Sequence, residues 1–341
     1  MPPVSGLAAL AQGAILSPFT RTRRLLDGIA PGHARPIELT VGDPREAMPA
    51  FIGDKLAEAT DQLSSYPKIR GSDELRGAIA AWIGRRYGLA GVVDPMREIL
   101  PVNGSREGLF FAALPAVGRK RFDGTPVMLI TNPFYQAYLG GAYGTGCEPF
   151  FLNATAATGH LPDLDALERE GDILRRTAAF YLCSPANPQG TIASKAYLRR
   201  ALELARANNF MLFSDECYSE IYTETPPPGG VEAADELGSG FDNLVVFNSL
   251  SKRSNLPGLR IGFAAGDPAF IEAFAGLCMQ KAGKARWAEK TPRNISRIGE
   301  IFRCFPSARF VHVLRDGRDV ACSLRTHPRH KVVGGKLVPT G

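Results

Sequence analysis

The chain has little with which to bind metal or to cross-link itself. Its six cysteines, at 147, 183, 217, 278, 304 and 322, contain no Cys-x-x-Cys pair, which argues against a zinc site and for reduced thiols in a cytoplasmic compartment. His327 and His330 have the spacing of two ligands but no acidic companions, so no metal is expected. The Gly140–Gly146 stretch lacks the dinucleotide spacing Gly-x-Gly-x-x-Gly, and there is no Gly-x-x-x-x-Gly-Lys-Ser/Thr loop. No apolar run approaches a membrane span of ~20 residues. Leu7–Leu16 is mildly apolar, but the arginines at 21, 23 and 24 follow it rather than precede it, so it does not read as a secretory signal. A net charge of +6 over 341 residues is modest, and part of the excess lies near the C-terminus. No nucleic-acid-binding stripe is expected.

What is present is an ordinary globular composition, 45% hydrophobic, long enough for two domains or one large one. Short apolar runs bounded by Gly, Pro and Asn alternate with helical patterns. Ile99–Val102, Pro126–Thr131, Cys147–Leu152, Ala179–Ser184, Phe210–Asp215 and Leu244–Phe247 read as strands, with another over Leu259–Ala264. Helices are predicted from Pro18, over Ser72–Tyr87 behind a serine cap, from Ser105, and over Lys195–Asn208. The alternation predicts an α/β fold of three layers, α/β/α, around a mixed, mostly parallel sheet.

The segment Phe247–Phe263 is the chemically richest. Lys252 lies in a loop between two strands, flanked by Ser249 and Ser251 and followed by Arg260. One amine nucleophile beside groups that hold a dianion is what pyridoxal 5'-phosphate (PLP) requires; a solvated basic loop would explain Lys252 and Arg253 alone. The wording Ser-Leu-Ser-Lys-Arg-Ser-Asn-Leu-Pro-Gly-Leu-Arg resembles the PLP-lysine signature of the class I/II aminotransferases of fold type I, and is most similar to the succinyldiaminopimelate transaminases of bacterial lysine synthesis. Four further motifs follow that family's order: Asn-Gly-Ser at 103–105, Pro-Phe-Tyr at 133–135, Asn-Pro-Gln-Gly at 187–190 and Asp-Glu-Cys-Tyr at 215–218.

The resemblance implies roles. Lys252 would carry the coenzyme and shuttle the proton, Asp215 would pair with the pyridine nitrogen, and Tyr218 and Asn187 would meet the phenolic oxygen. Tyr135 would stack on the ring. Gly104, Ser105, Arg106, Ser249, Ser251 and Arg260 would hold the phosphate, helped by Tyr66 from a second subunit, which implies a homodimer. Gly42 and Asn187 would approach the substrate carboxylate. Taken singly, several have plainer readings: a helix cap at Gly104–Ser105, core packing at Tyr135, a turn glycine at Gly42, a strand-end acid at Asp215. The implied reaction moves an amino group between N-succinyl-diaminopimelate and 2-oxoglutarate.

The resemblance covers about 17–270, in a large domain expected over 17–273 after an N-terminal extension, 1–16. Beyond it the family's small C-terminal domain is expected to be missing and replaced by a short α/β fragment, 274–330, followed by a flexible tail, 331–341. The fragment resembles part of a sulfotransferase that uses the sulfate donor PAPS, with Arg315 and Ser323 in the places that hold its 3'-phosphate. Two other readings therefore stand beside the aminotransferase: a PAPS-dependent sulfotransferase, and a fused product that binds PLP without catalysis.

Overall fold

The computed structural model describes residues 18–37, 42, 46–277, 330–333 and 336–339. The chain divides into two compact units, 1–281 and 282–341, a little beyond the join expected near 274. In the first unit the helices are α1 (Pro18–Leu26), α2 (Ala50–Glu58), α3 (Asp73–Tyr87), α4 (Ser105–Gly118), α5 (Gln136–Gly144), α6 (Leu164–Glu168), α7 (Gly171–Arg176), α8 (Lys195–Ala207), α9 (Gly230–Glu236), α10 (Leu250–Arg253) and α11 (Pro268–Gly276). The strands are β1 (Ile99–Val102), β2 (Val127–Asn132), β3 (Glu148–Asn153), β4 (Thr177–Cys183), β5 (Met211–Asp215), β6 (Leu244–Ser249) and β7 (Gly262–Gly266).

These strands form one sheet in the order β1-β7-β6-β5-β4-β2-β3. Neighbours from β3 through β6 run parallel, and β7 runs antiparallel to both β6 and β1. Strands β4, β5 and β6 are buried along their whole length, as parallel strands covered on both faces must be. Successive residues feed opposite cores. Leu129, Phe180, Leu212 and Val246 pack with Ile83 of α3 and Leu198 of α8, while Met128, Tyr181, Phe213 and Val245 pack with Leu109 of α4 and Phe270 of α11. The result is the three-layer, mixed-sheet architecture read from the sequence.

Helix α3 shows how local signals set the frame. Leu75 N donates to the Ser72 side chain at 3.2 Å, and Gly88 ends the helix at φ 70°. Two expectations are corrected. The span 250–258 is not all loop: Ser249 caps the single turn α10, its Oγ accepting from Ser251 N at 3.4 Å. Strand β7 begins at Gly262 rather than Leu259, because Pro257–Leu259 forms a 3-10 turn and Arg260 takes a left-handed φ of 53°.

In the second unit, His330–Val333 and Lys336–Pro339 pair as an antiparallel ladder where a flexible tail was expected. The extension 1–16, Arg315 and Ser323 lie outside the described residues.

Candidate active site

Because β1 to β6 point the same way, their C-terminal ends share one edge of the sheet, and β7 starts from it. That edge is where ligands bind in open α/β sheets. It gathers Gly104–Arg106 after β1, Tyr135 after β2, Asn187 after β4, Asp215–Tyr218 at β5, Ser249–Lys252 after β6 and Arg260 before β7.

Asp215 is the buried centre, 5% exposed. Its Oδ2 accepts from the Tyr138 hydroxyl at 2.6 Å and its Oδ1 from Cys217 N at 3.2 Å. Burial raises its pKa above the ordinary carboxylate value, and these two donors oppose the rise. The Tyr138 ring is stacked on Tyr181 at 4.7 Å and meets Tyr135 edge-on at 5.8 Å. Tyr135 is held from the other side by Arg106, whose Nε donates to the phenolic oxygen at 2.6 Å; that bond raises the arginine's pKa. Across the site, Asn187 Nδ2 donates to the Tyr218 hydroxyl at 3.3 Å. Burial pushes the Tyr218 phenol up, so the free side chain is protonated at neutral pH.

The other end of the edge is a cradle. Gly104, at φ 92° and ψ 153°, opens α4, and a Cβ there would lie 2.3 Å from Arg260 Nη2. A Cβ on Gly262 would lie 3.0 Å from Ser105 N. Only glycine at both positions lets the guanidinium and the first free amides of α4 share this space. Arg260 Nη2 donates to Glu107 at 2.8 Å and Nη1 to the Pro257 carbonyl at 3.1 Å. Cys217 Sγ donates to Ser105 Oγ at 2.9 Å, and Ser249 Oγ stands 3.9 Å from the same sulfur. Lys252 Nζ donates to the Gly42 carbonyl at 2.8 Å, which ties two residues far apart in sequence. Tyr66 is fully exposed.

Three contributors escaped the sequence reading. Tyr138 reads as helix core, Cys217 is the variable position of its motif, and Glu107 is one more helix acid. Spacing offered a signal only for Tyr138, one helical turn beyond Tyr135.

This edge joins a buried strand-end carboxylate, a lysine after the adjacent strand and a glycine-floored cradle, on a sheet of the fold-type-I aminotransferase architecture. Residues 34–280 match the description "Aminotransferase class I and II", and the chain belongs to that family. It is 36% identical over 246 residues to the LL-diaminopimelate aminotransferase of Moorella thermoacetica, covering 71% of this chain and 59% of that protein. The corresponding protein of Desulforudis audaxviator is 33% identical over 266 residues, covering 76% and 64%. The chain thus spans about three fifths of the length of these curated relatives. Among solved structures, an aminotransferase from Neisseria meningitidis superposes with a TM-score of 0.72 at 38% identity, covering 78% of this chain and 67% of that one. Aminotransferase AspB of Helicobacter pylori gives 0.70 at 36%, covering 77% and 67%. Residues 257–332 also match the description "Sulfotransferase family", overlapping the first match over 257–280.

Proposed function

We propose that the chain binds PLP at this edge and transfers an amino group from a diaminopimelate-type donor to a 2-oxo acid, as a homodimer in the cytoplasm. The observation that carries this reading is Asp215, a carboxylate sealed at a strand end and fixed by Tyr138 and Cys217 N. The residues fit the coenzyme. The cradle that a Cβ at Gly104 would fill suits a phosphate, with Ser105, Arg106, Ser249, Ser251 and Arg260 around it and Tyr66 reaching from the partner subunit. When bound, PLP would supply an electron sink for the bond-breaking step at the substrate carbon.

The chain's own groups do the rest. Asp215, oriented by Tyr138, would hold the pyridine nitrogen and keep it protonated. Asn187 and Tyr218 would hold the phenolic oxygen, while Tyr135 would pack on the ring and exclude water. Lys252, whose Nζ donates to the Gly42 carbonyl, would hold the coenzyme and would move a proton at the substrate carbon. Gly42 and Asn187 meet the substrate carboxylate.

The relatives' names point to free LL-diaminopimelate as donor, and the Lys252 motif points to its N-succinyl form. Both are offered with 2-oxoglutarate to purified protein, in parallel with PLP titration of wild type and Lys252→Ala. The reading expects a borohydride-reducible visible absorption that the variant lacks, glutamate formed from one donor, and a dimer by light scattering. Absence of coloured complex in wild type would overturn it. The match over 257–332 supports a second reading, in which Arg315 and Ser323 hold the 3'-phosphate of PAPS. Retention on immobilised adenosine 3',5'-bisphosphate, lost in Arg315→Ala, tests it.

A further inference from the structure

Arg253 follows Lys252 on α10; its Nε, like those of Arg70 and Arg76, is buried without a partner, but it lacks the carboxylate that four other buried or partly buried arginines have. Arg76 pairs with Asp73 at 2.6 Å, Arg86 with Glu220 at 2.5 Å, Arg119 with Asp267 at 2.9 Å and Arg176 with Glu148 at 3.0 Å. Among the described residues no carboxylate pairs with Arg253, and its Nε is buried without a hydrogen-bond partner. Its guanidinium carbon instead stands 4.1 Å from the centroid of Trp82. Glu220 acts on it from a distance but is already taken by Arg86. A half-buried guanidinium resting on an indole, with an unused donor, is a carboxylate receptor in waiting.

The surroundings define the rest of the ligand. Trp82 and Arg253 line a groove of about 280 Å³ between α3, α10 and the start of β7. Its walls are Leu75, Ile79, Leu250, Ile261 and Phe263, with Arg85 as the second cation, and among the described residues no acidic side chain lines it. Leu75 and Ile261 are 39% and 36% exposed, so apolar surface lies open beside the charge. The volume falls just under the ~300–1,000 Å³ common for small-molecule sites. An organic cation would meet two arginines, and a neutral apolar molecule would leave the guanidinium donor unmet.

We propose that this groove binds a small apolar monocarboxylate, its carboxylate on the fork of Arg253 and its hydrocarbon body along Leu75, Ile79 and Leu250. The groove shares Ser249 and Gly262 with the cradle, while Lys252 and Arg260 do not line it; its carboxylate receptor, Arg253, has no part in the coenzyme reading.

Trp82 is its own reporter. The sequence has one other tryptophan, Trp287, and a Trp287→Phe background leaves Trp82 alone to fluoresce. Octanoate, octan-1-ol and octylammonium are titrated against the full-length protein. Octanoate should give a saturable change in Trp82 emission, octanol one about tenfold weaker or less, and octylammonium none, since a charge-assisted pair contributes at least about a factor of ten. Arg253→Gln should weaken octanoate by a similar factor and leave octanol unchanged. Equal binding of octanoate and octanol to protein with Arg253 intact would overturn the proposal, whatever the stability of the variant. So would the absence of saturation with octanoate, or undiminished binding to a folded Arg253→Gln.

Discussion

Tyr138→Phe tests whether Asp215 is ionised inside the fold. The substitution removes one oxygen and leaves the ring stacked on Tyr181. What is lost is the 2.6 Å bond to Oδ2, leaving the carboxylate only Cys217 N at 3.2 Å. A hydrogen bond to a charged group contributes about 1.5–3 kcal/mol net and one to a neutral group about 0.5–1.5. The difference, about 1–1.5 kcal/mol, corresponds to a further rise of about one unit in the Asp215 pKa.

The sign of the pH dependence follows. The folded-state pKa of Asp215 already stands above the ordinary carboxylate value because the group is buried. Its contribution to stability is therefore complete below the unfolded pKa and is lost as pH rises through the folded one. The variant, with a folded pKa higher still, loses more. Urea melts of wild type and Tyr138→Phe from about pH 5 to about pH 8 should show a stability gap of about 1.5–3 kcal/mol at the alkaline end. The gap should narrow as pH falls through the folded pKa. A gap that stays at the neutral-pair value, under about 1.5 kcal/mol, up to the alkaline end would mean Asp215 does not ionise in the folded protein, and the reasoning about the pyridine nitrogen would fall with it.

Gly104→Ala places a Cβ at φ 92°, ψ 153° and 2.3 Å from Arg260 Nη2. We expect about 1–3 kcal/mol of backbone strain in the urea midpoint, and about a tenfold or greater loss of PLP affinity as the guanidinium is pushed aside. Unchanged affinity would show that Arg260 does not hold the phosphate. Glu216→Gln concerns stability alone. Glu216 is 2% exposed and accepts from Tyr87 at 2.8 Å, Ser214 at 2.9 Å and Gly230 N at 2.7 Å. An amide NH2 turned toward these donors should cost about 2–3 kcal/mol, read from the urea midpoint, and a loss under about 0.5 kcal/mol would refute the accounting.

The sheet was legible because its strands carry no alternation to misread. Met211–Asp215 and Leu244–Ser249 are buried on both faces, so each is a continuous apolar run that ends abruptly at polar residues. That abrupt end is also where ligands sit in open sheets, and Asp215, Asn187 and Lys252, singled out by their motifs, stand at or just after such ends. Tyr138 and Cys217 were not singled out, because their meaning comes from partners 77 and 112 residues away, Asp215 and Ser105. Nothing local separates a tyrosine that fills a core from one that also donates into it.

The start of β7 shows the same limit from the backbone side. Leu259–Ala264 has the composition of a strand, and pattern alone extends it through Arg260. The structure instead breaks it with the 3-10 turn at Pro257–Leu259 and puts Arg260 at φ 53°, a region few non-glycine residues enter. Side chains in a strand alternate between its two faces, so a strand residue at 260 would project from a face of the sheet. The left-handed residue sends its guanidinium to Gly104 and Glu107 across the sheet's end. Pro257-Gly258 was the available sign, since proline preset the turn and could not have donated to a ladder. The irregularity that defeated the strand reading is therefore what brings the cradle's arginine to it, and relaxing Arg260 into β geometry would remove that cation from the site even with its sequence unchanged.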